Sequence, residues 1–297
     1  MPSPRELRLR VRSIKNLAQV TRALETVSAS YVRRAIQATL ATRPYAEKAW
    51  KVLVHLARQP GHTTLHPLLA ERKEIRKVLV LMISGDRGLA GAYNVNILRQ
   101  TLSRFPALKT PTSYVAVGRK GRDLLIRRRK DVIADFSHLP NPPTFADVSA
   151  IGKLAVDDFE KGLFDQVWIA YTEFVSMANQ RPVIRKLLPL EVEFETDPSS
   201  TFNTTHHQTN SVFIYEPDQE ELLNQIVPRF TALQIYQSIL SAQASEHAAR
   251  MMAMHNATES ANDLVGALQL EYNKLRQQLI TSEMLDITGG AEALNKG

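Results

Sequence analysis

Apolar side chains recur at helical spacing through the first part of the chain. From Arg5 to Gln59 there is no glycine and a single proline, Pro44. Steps of three and four residues separate the apolar positions, close to the period of a helix seam. These positions are Leu7, Val11, Ile14, Leu17, Val20, Leu24, Val27 and Tyr31. The pattern predicts a coiled-coil helix over residues 1–59, kinked or divided at Pro44 because proline removes a helical hydrogen bond.

The middle of the chain has the pattern of alternating strands and helices. Short β-type runs occur at KVLVLMIS, TSYVAVG, DVIADFS and QVWIAYTEF, with helix candidates near 91–104, 119–129 and 145–162. This alternation indicates a mostly parallel sheet. Strand-like IRKLLPL and SVFIYEP follow, with a polar loop between them. We therefore expect a Rossmann-like α/β domain over 75–195, then a loop and a strand over 196–216.

The last segment, 217–297, is again helical. From Arg229 to Thr288 it holds no proline and one glycine, Gly266. About sixty helical residues would extend roughly 90 Å, more than the diameter of a compact domain of this size. Such a helix needs another long helix, a second protein or both to cover its apolar stripe. A heptad stripe is present at Ala261, Val265, Leu268, Tyr272, Leu275 and Leu279.

Charge is unevenly distributed along the chain, which carries +7 overall. Residues 1–60 hold 12 Lys and Arg against 3 Asp and Glu, whereas 217–297 hold 5 against 10. The terminal segments are thus suited to pair with each other. We infer an α/β fold in which a long antiparallel coiled coil of N- and C-terminal helices carries the inserted domain. A basic N-terminal helix is equally compatible with a nucleic-acid or acidic-lipid surface.

Few residues of the chain suggest chemistry. Cysteine is absent, which excludes disulfides, thiolate metal sites and a cysteine nucleophile. No apolar run approaches the roughly 20 residues of a membrane span. His62 and His66, like His206 and His207, lie in polar segments typical of surface loops, and we expect neither a metal nor a cofactor.

A glycine-rich turn, GDRGLAG, follows the first predicted strand. Its glycine spacing, G-x-x-G-x-x-G, fits neither the dinucleotide fingerprint nor the P-loop. The Asp86 carboxylate would repel phosphate unless it were paired, and Arg87 could pair with it. We interpret the loop as a structural turn, with a nucleotide-dependent enzyme as an alternative. The turn residues are Gly85, Asp86, Arg87, Gly88 and Gly91.

Three blocks of sequence resemble the γ subunit of F-type ATP synthases. They are IKNLAQVTRALETVSASYVRRA, ISGDRGLAGAYNVNI and the highly specific ASEHAARMMAMHNATESANDLVGALQLEYNKLRQQLITSEMLDITGGAEAL. Shorter similarities, RPYAE, LLPL and YEPD, occur in the same order, so the resemblance spans nearly the whole chain. In this family the terminal helices form a coiled coil that enters the catalytic α3β3 hexamer, and the α/β domain contacts the c-ring and the ε subunit.

The resemblance implies a central rotor shaft without a catalytic site or cofactor of its own. It implies that the shaft transmits torque between the membrane c-ring and the hexamer during ATP synthesis or hydrolysis coupled to proton translocation. No nucleic acid is implied, and the complex would attach the chain peripherally to the cytoplasmic side of a bacterial cell inner membrane. The alternative is a coiled-coil nucleic-acid-binding protein that uses the basic N-terminal helix.

The family's contacts with the catch loop of the catalytic β subunit, and with its surroundings along the shaft, carry over to matching positions. The implied contacts are Arg250, Arg276, Gln277, Thr281 and Glu283. At the neck the family often has MVAASK where this chain has TVSASY, so Tyr31 replaces a basic residue, and Arg33 and Arg34 are the substitutes. The family's DRGLCGG is DRGLAGA here, which favours a packing role for Ala90.

Overall fold

The computed structural model describes residues 3–57, 67–70, 72, 74–106, 110–190 and 219–295. Two long helices, α1 (Pro4–Ala57) and α5 (Gln219–Asn295), flank a five-stranded α/β domain in sequence. The strands are β1 (Val78–Ile83), β2 (Thr112–Val117), β3 (Asp131–Phe136), β4 (Gln166–Phe174) and β5 (Gln180–Leu188). The shorter helices are α2 (Tyr93–Arg104), α3 (Arg119–Arg127) and α4 (Phe145–Glu160), with a 3-10 turn at Pro67–Leu69.

The sheet is mostly parallel, with strand order β3-β2-β1-β4-β5. Strand β1 pairs in parallel with β2 and β4, β2 pairs in parallel with β3, and β5 runs antiparallel to β4. All six residues of β1 are buried, as expected of an unbroken apolar run in a sheet covered on both faces. The predicted fold class is confirmed. The SVFIYEP strand, the loop before it and His62, His66, His206 and His207 lie outside the described residues.

Helices cover both faces of the sheet, and alternate residues of β1 point to opposite faces. Val80 packs in the cluster that α2 and α3 build with Ile97 and Leu125. Leu81 packs in the other cluster, to which α4 contributes Phe159. Segments of α1 and α5 join that second cluster, where Trp50 stacks on a second aromatic ring, Phe230, at 5.6 Å between centroids.

By internal contacts the chain forms two compact units, Ser28–Arg250 and a terminal unit of Met1–Val27 with Met251–Gly297. Within Ser28–Arg250, Tyr31 stacks on His247 and Trp50 stacks on Phe230, so the two helix segments run antiparallel. Within the terminal unit, Thr21 contacts Thr258 and Glu25 contacts His255, which again defines an antiparallel pair.

The seam of α1 differs from the predicted one. Leu7 and Val11 are buried as predicted. Exposure is 50–56% at three other predicted seam residues, which are Leu17, Val20 and Val27. The small side chains of Ala18 and Thr21 are buried instead. The predicted steps of three residues are shorter than the 3.5-residue period of a coiled coil, so the predicted stripe turns away from the contact. Small side chains take its place there because they let the two helices approach closely.

Helix α1 is not divided at Pro44, which lies inside it. A proline in a helix interior removes one hydrogen bond and strains one turn, at a cost of about 3 kcal/mol. Tertiary packing offsets this cost, because Ala46 is fully buried and Trp50 is packed against the same core. Of the two outcomes predicted at Pro44, division of the helix does not occur, and a kink stays a prediction.

Candidate functional site

The end of α5 extends beyond α1 within the terminal unit. The contact between Thr21 and Thr258 places the start of α1 beside about residue 275, because antiparallel helices rise equally per residue. Every residue from 276 to 291 is exposed. Apolar side chains are among them, with exposures of 49–72% at Ile280, Met284, Leu285 and Ile287. An exposed apolar surface of this kind marks an interaction site.

The predicted catch-loop contacts lie on this exposed end. Arg276, Gln277, Thr281 and Glu283 are all exposed. Gln277 and Thr281 are one turn apart and share a face, and the Thr281 hydroxyl donates to the Gln277 carbonyl at 2.9 Å. Arg276 and Glu283 are seven residues apart and share another face. The structure thus presents all four to solvent, and their contacts with a partner remain predictions.

Arg250 has a different environment, because it is only 8% exposed. Its guanidinium donates to the Glu246 carboxylate at 2.5 Å and to the Gly88 carbonyl at 3.3 Å. It also lies 3.1 Å from the Nδ1 atom of His247. The charge of Arg250 is therefore engaged inside the chain, and its contact with a partner is a prediction that the structure does not test.

His247 is held neutral inside this cluster. Burial, followed by the positive charges of Arg250 and Arg87, lowers its pKa to about 4. Arginine can only donate, so Nδ1 of His247 accepts and Nε2 carries the proton. The side-chain amide of Asn141 contacts Nε2. A protonated Nε2 is a donor. The side-chain oxygen of Asn141, which otherwise has no partner among the described residues, is the acceptor that suits it.

Glu246 is the acidic member of the cluster. Burial raises the pKa of its carboxyl, and the guanidinium of Arg250 opposes that rise. Gly85 leaves room for it, because a Cβ at position 85 would lie 2.6 Å from the carboxyl carbon of Glu246. The glycine-rich turn and α5 therefore fit together at this point.

Asp86 does not pair with Arg87 in the described structure. Its carboxylate instead accepts from the backbone N–H of Arg119 at 2.8 Å and of His138 at 3.0 Å. Arg119 is the first residue of α3, so Asp86 satisfies a free amide at the start of a helix. Gly91 has a φ of +56°, which favours glycine. The suggested pairing of Asp86 with Arg87 was therefore wrong.

Tyr31 and Arg34 take part in a stack at the neck. The Tyr31 ring lies 4.9 Å from that of His247, and the Arg34 guanidinium lies 5.4 Å from the Tyr31 ring centroid. Arg33 and Arg34 are both exposed. Tyr31 therefore replaces a basic residue with an aromatic contact inside the chain. The predicted neck contacts of Arg33 and Arg34 with a partner remain predictions.

Helix α5 fills the crevice where a doubly wound sheet binds ligands. That crevice lies at the carboxyl ends of the strands where their order reverses, here between β1 and β4. Ser245 of α5 donates to the Thr172 carbonyl at 3.0 Å, and Tyr93 donates to the Ala242 carbonyl at 3.0 Å. A cavity of about 30 Å³ remains beside α5 at the ends of β1, β2 and β3, lined among others by Ile83, Val117 and Phe136. Ligand pockets measure about 300–1,000 Å³, so this cavity has no room for a nucleotide.

Sequence reasoning missed Glu246, His247 and Asn141. The segment SAQASEHAAR combines small side chains with Glu246 and Arg250, which are four residues apart. Small residues allow close helix packing, and charged residues are fully buried almost only when paired. This combination could have indicated a buried ion pair. No local pattern identifies Asn141, because its loop is 106 residues away from His247 in sequence.

A filled ligand crevice and a long helix with an exposed apolar end are features of a subunit that works within an assembly. The ATP synthase family model matches residues 3–294. The chain is 44% identical over 295 residues to the ATP synthase gamma chain of Dehalococcoides mccartyi strain CBDB1, covering 99% of this chain and 100% of that protein. It is 42% identical over 298 residues to that of Roseiflexus castenholzii, covering 99% of each. The chain belongs to the ATP synthase gamma-chain family, whose members are non-catalytic subunits.

Solved structures show the same fold. One is a chain of the Euglena gracilis mitochondrial ATP synthase, described as OSCP/F1/c-ring in rotational state 3. It superposes with a TM-score of 0.68 at 19% identity, covering 99% of this chain and 95% of that chain. Another is a chain of the Tetrahymena thermophila mitochondrial ATP synthase, described as central stalk/c-ring. Its TM-score is 0.60 at 23% identity, covering 80% of this chain and 99% of that chain.

Proposed function

We propose that this chain is the central rotor shaft of a rotary ATP synthase. It transmits torque between the membrane c-ring and the catalytic α3β3 hexamer while ATP is synthesised or hydrolysed in step with proton translocation. The observation that carries the proposal is the exposed end of α5, residues 276–291, in a chain of the gamma-chain family. Neither the structure nor the similarity to known proteins supports the nucleic-acid alternative.

The exposed end of α5 suits a shaft that turns inside a protein sleeve. Apolar contacts are non-directional, so Met284, Leu285 and Ile287 can contact successive surfaces without a preferred angle. Polar contacts must form and break in each turn, so each should be weak. Exposed ion pairs contribute about 0.2–1 kcal/mol, which meets this need. The four exposed polar residues proposed to contact the β catch loop are Arg276, Gln277, Thr281 and Glu283.

The α/β domain would supply the other end of the torque path. Its partners in the proposal are the c-ring and the ε subunit, while Arg33 and Arg34 would contact the catalytic subunits at the neck. None of the helices in the described part of the chain is long and apolar enough to cross a membrane. The chain is proposed to lie peripherally on the cytoplasmic side of a bacterial inner membrane, held there by the complex.

Purification of the tagged full-length chain from its native cells tests the rotor function. The expected result is co-purification of α and β chains, with about three copies of each per tagged chain. This ratio follows because one shaft lies inside one closed ring of three α and three β chains. Isolation of the chain without them would overturn the proposal. Nucleic acid that co-purifies instead, and dissociates at high salt, would support the alternative.

A further inference from the structure

We propose that Glu246, His247 and Arg250 lock α5 to the α/β domain against rotation, so that torque passes between the domain and the helix at this point. These three residues, with the turn Gly85–Gly91 and Asn141, are called the α5 latch. The inference rests on the proposed rotor function. Every member of the latch belongs to the compact unit Ser28–Arg250.

The α5 latch joins one helix to separate segments of the α/β domain. Arg250 donates to the Gly88 carbonyl in the turn after β1. His247 contacts Asn141 in the loop before α4. Two residues before His247, Ser245 donates to the Thr172 carbonyl of β4. Bonds that leave a helix toward different segments oppose its rotation about its own axis, because rotation lengthens each of them.

Shape adds to these bonds at Gly85. The carboxyl group of Glu246 occupies the space in which any larger residue at position 85 would carry its Cβ. The carboxylate is in turn held by Arg250 at 2.5 Å. Rotation of α5 would therefore move a buried, charged side chain that is packed against the turn in a close-packed interior.

Charge has a specific use in such a contact. Apolar packing is non-directional and resists the turning of a helix only through shape. Charge-assisted hydrogen bonds are directional and about twice as strong as neutral ones. Burying Glu246 and Arg250 opposes folding through desolvation, and a buried ion pair often contributes less to stability than apolar residues would. A role in fixing the angle of the helix accounts for a charged pair at this position.

Two glycine substitutions in the same turn form a matched test in the assembled complex. A Cβ at position 85 would collide with Glu246, whereas a Cβ at position 88 would meet only the Lys120 side chain, at 3.9 Å. The angular fluctuation of a bead on the c-ring is recorded while the hexamer is fixed and paused. For Gly85→Ala we expect about a twofold larger angular variance, in keeping with the loss of charge-assisted bonds. For Gly88→Ala we expect the variance of the unmodified complex.

A second variant separates the latch from simple packing. Gly85→Ala combined with Glu246→Ala removes the colliding carboxylate, while the Arg250 guanidinium keeps its contacts with the Gly88 carbonyl and with His247. The variant's angular variance should still be raised, because the latch has lost its Glu246 carboxylate. This double variant also decides the question if Gly85→Ala alone fails to assemble. A variance equal to that of the unmodified complex would overturn the latch while leaving the rotor function intact, whereas absence of the unmodified chain from the complex would overturn the rotor function itself.

Discussion

Thr21 of α1 and Thr258 of α5 share a hydrogen bond of 2.7 Å between their hydroxyl oxygens. Each hydroxyl also lies near a carbonyl of its own helix, at 3.0 Å from Ala18 and 2.8 Å from Met254. A hydroxyl has only one hydrogen, so one threonine donates along its helix while the other donates across the pair. The seam of the terminal unit is therefore small and polar at this turn, and the bond favours one register.

Substitution of the two threonines should show this coupling. Thr21→Val keeps the shape but leaves the Thr258 hydroxyl without its partner across the pair, and should lower the free energy of unfolding by about 1 kcal/mol. Thr258→Val should act similarly. The double variant should cost clearly less than the sum, because neither hydroxyl is then unpaired. Denaturant unfolding of the purified chain measures all three, and strictly additive costs would contradict the shared bond.

Two helical glycines should respond oppositely to alanine. A Cβ at Gly152 of α4 would lie 2.8 Å from the Cβ of Ala232 on α5, whereas nothing lies within 4 Å of a Cβ at Gly266. Gly152→Ala should therefore destabilise the chain by about 1–3 kcal/mol through overpacking. Gly266→Ala should stabilise it by about 0.5–1 kcal/mol, because alanine is the better helix former. Thermal unfolding compares the two, and a stabilising Gly152→Ala would contradict the close packing of α4 on α5.

Acid should destabilise the chain through His247. Its pKa is lowered from 6.5 to about 4 in the folded chain, so its contribution to stability is present above pH 6.5 and is lost as the pH falls toward 4. The difference amounts to on the order of 3 kcal/mol. The raised pKa of Glu246 acts in the opposite direction, since its protonation favours the folded state at low pH.

His247→Gln isolates the histidine's contribution, because glutamine keeps polar groups but does not titrate. Unfolding free energies of both proteins are measured from pH 7.5 to pH 4. The unmodified chain should lose more stability over this range than the variant. Parallel pH profiles would show that His247 is not the group responsible.

The exposed end of α5 should affect coupling rather than folding. Arg276→Ala with Gln277→Ala should slow ATP hydrolysis by the assembled complex, because contacts with the catch loop are lost. Gln269→Ala with Glu271→Ala is the matched control, since both residues are exposed on the same helix but are not among the implied catch-loop contacts. The unfolding midpoint of the free chain should not change in either variant. Equal hydrolysis rates in the two variants would contradict the assignment of the catch-loop contacts.

Much of the fold follows from local sequence patterns. The apolar run VLVLMI predicts a central strand, and the alternation of such runs with helical segments predicts the mostly parallel sheet. The predicted seam of α5 agrees with the structure from Ala261 to Leu275, where its positions are the less exposed ones, but not at Leu279, which is 47% exposed. Among the candidate site residues, exposure at Arg276 and Gln277 agrees with a polar helix face. The burial of Arg250 could not be predicted, because no local pattern shows what approaches a helix from another part of the chain.

By itself the sequence determined the types of the described elements, their approximate bounds and the family, because propensity, periodicity and extended similarity are properties of neighbouring residues. Only the tertiary structure decided which stripe of α1 forms its seam, since helices select the side chains that let them approach closely. It alone showed that α5 fills the ligand crevice and that Gly85 makes room for Glu246. Arg250 and Gly88 are 162 residues apart, and a contact over that distance exists only once the sheet has brought them together.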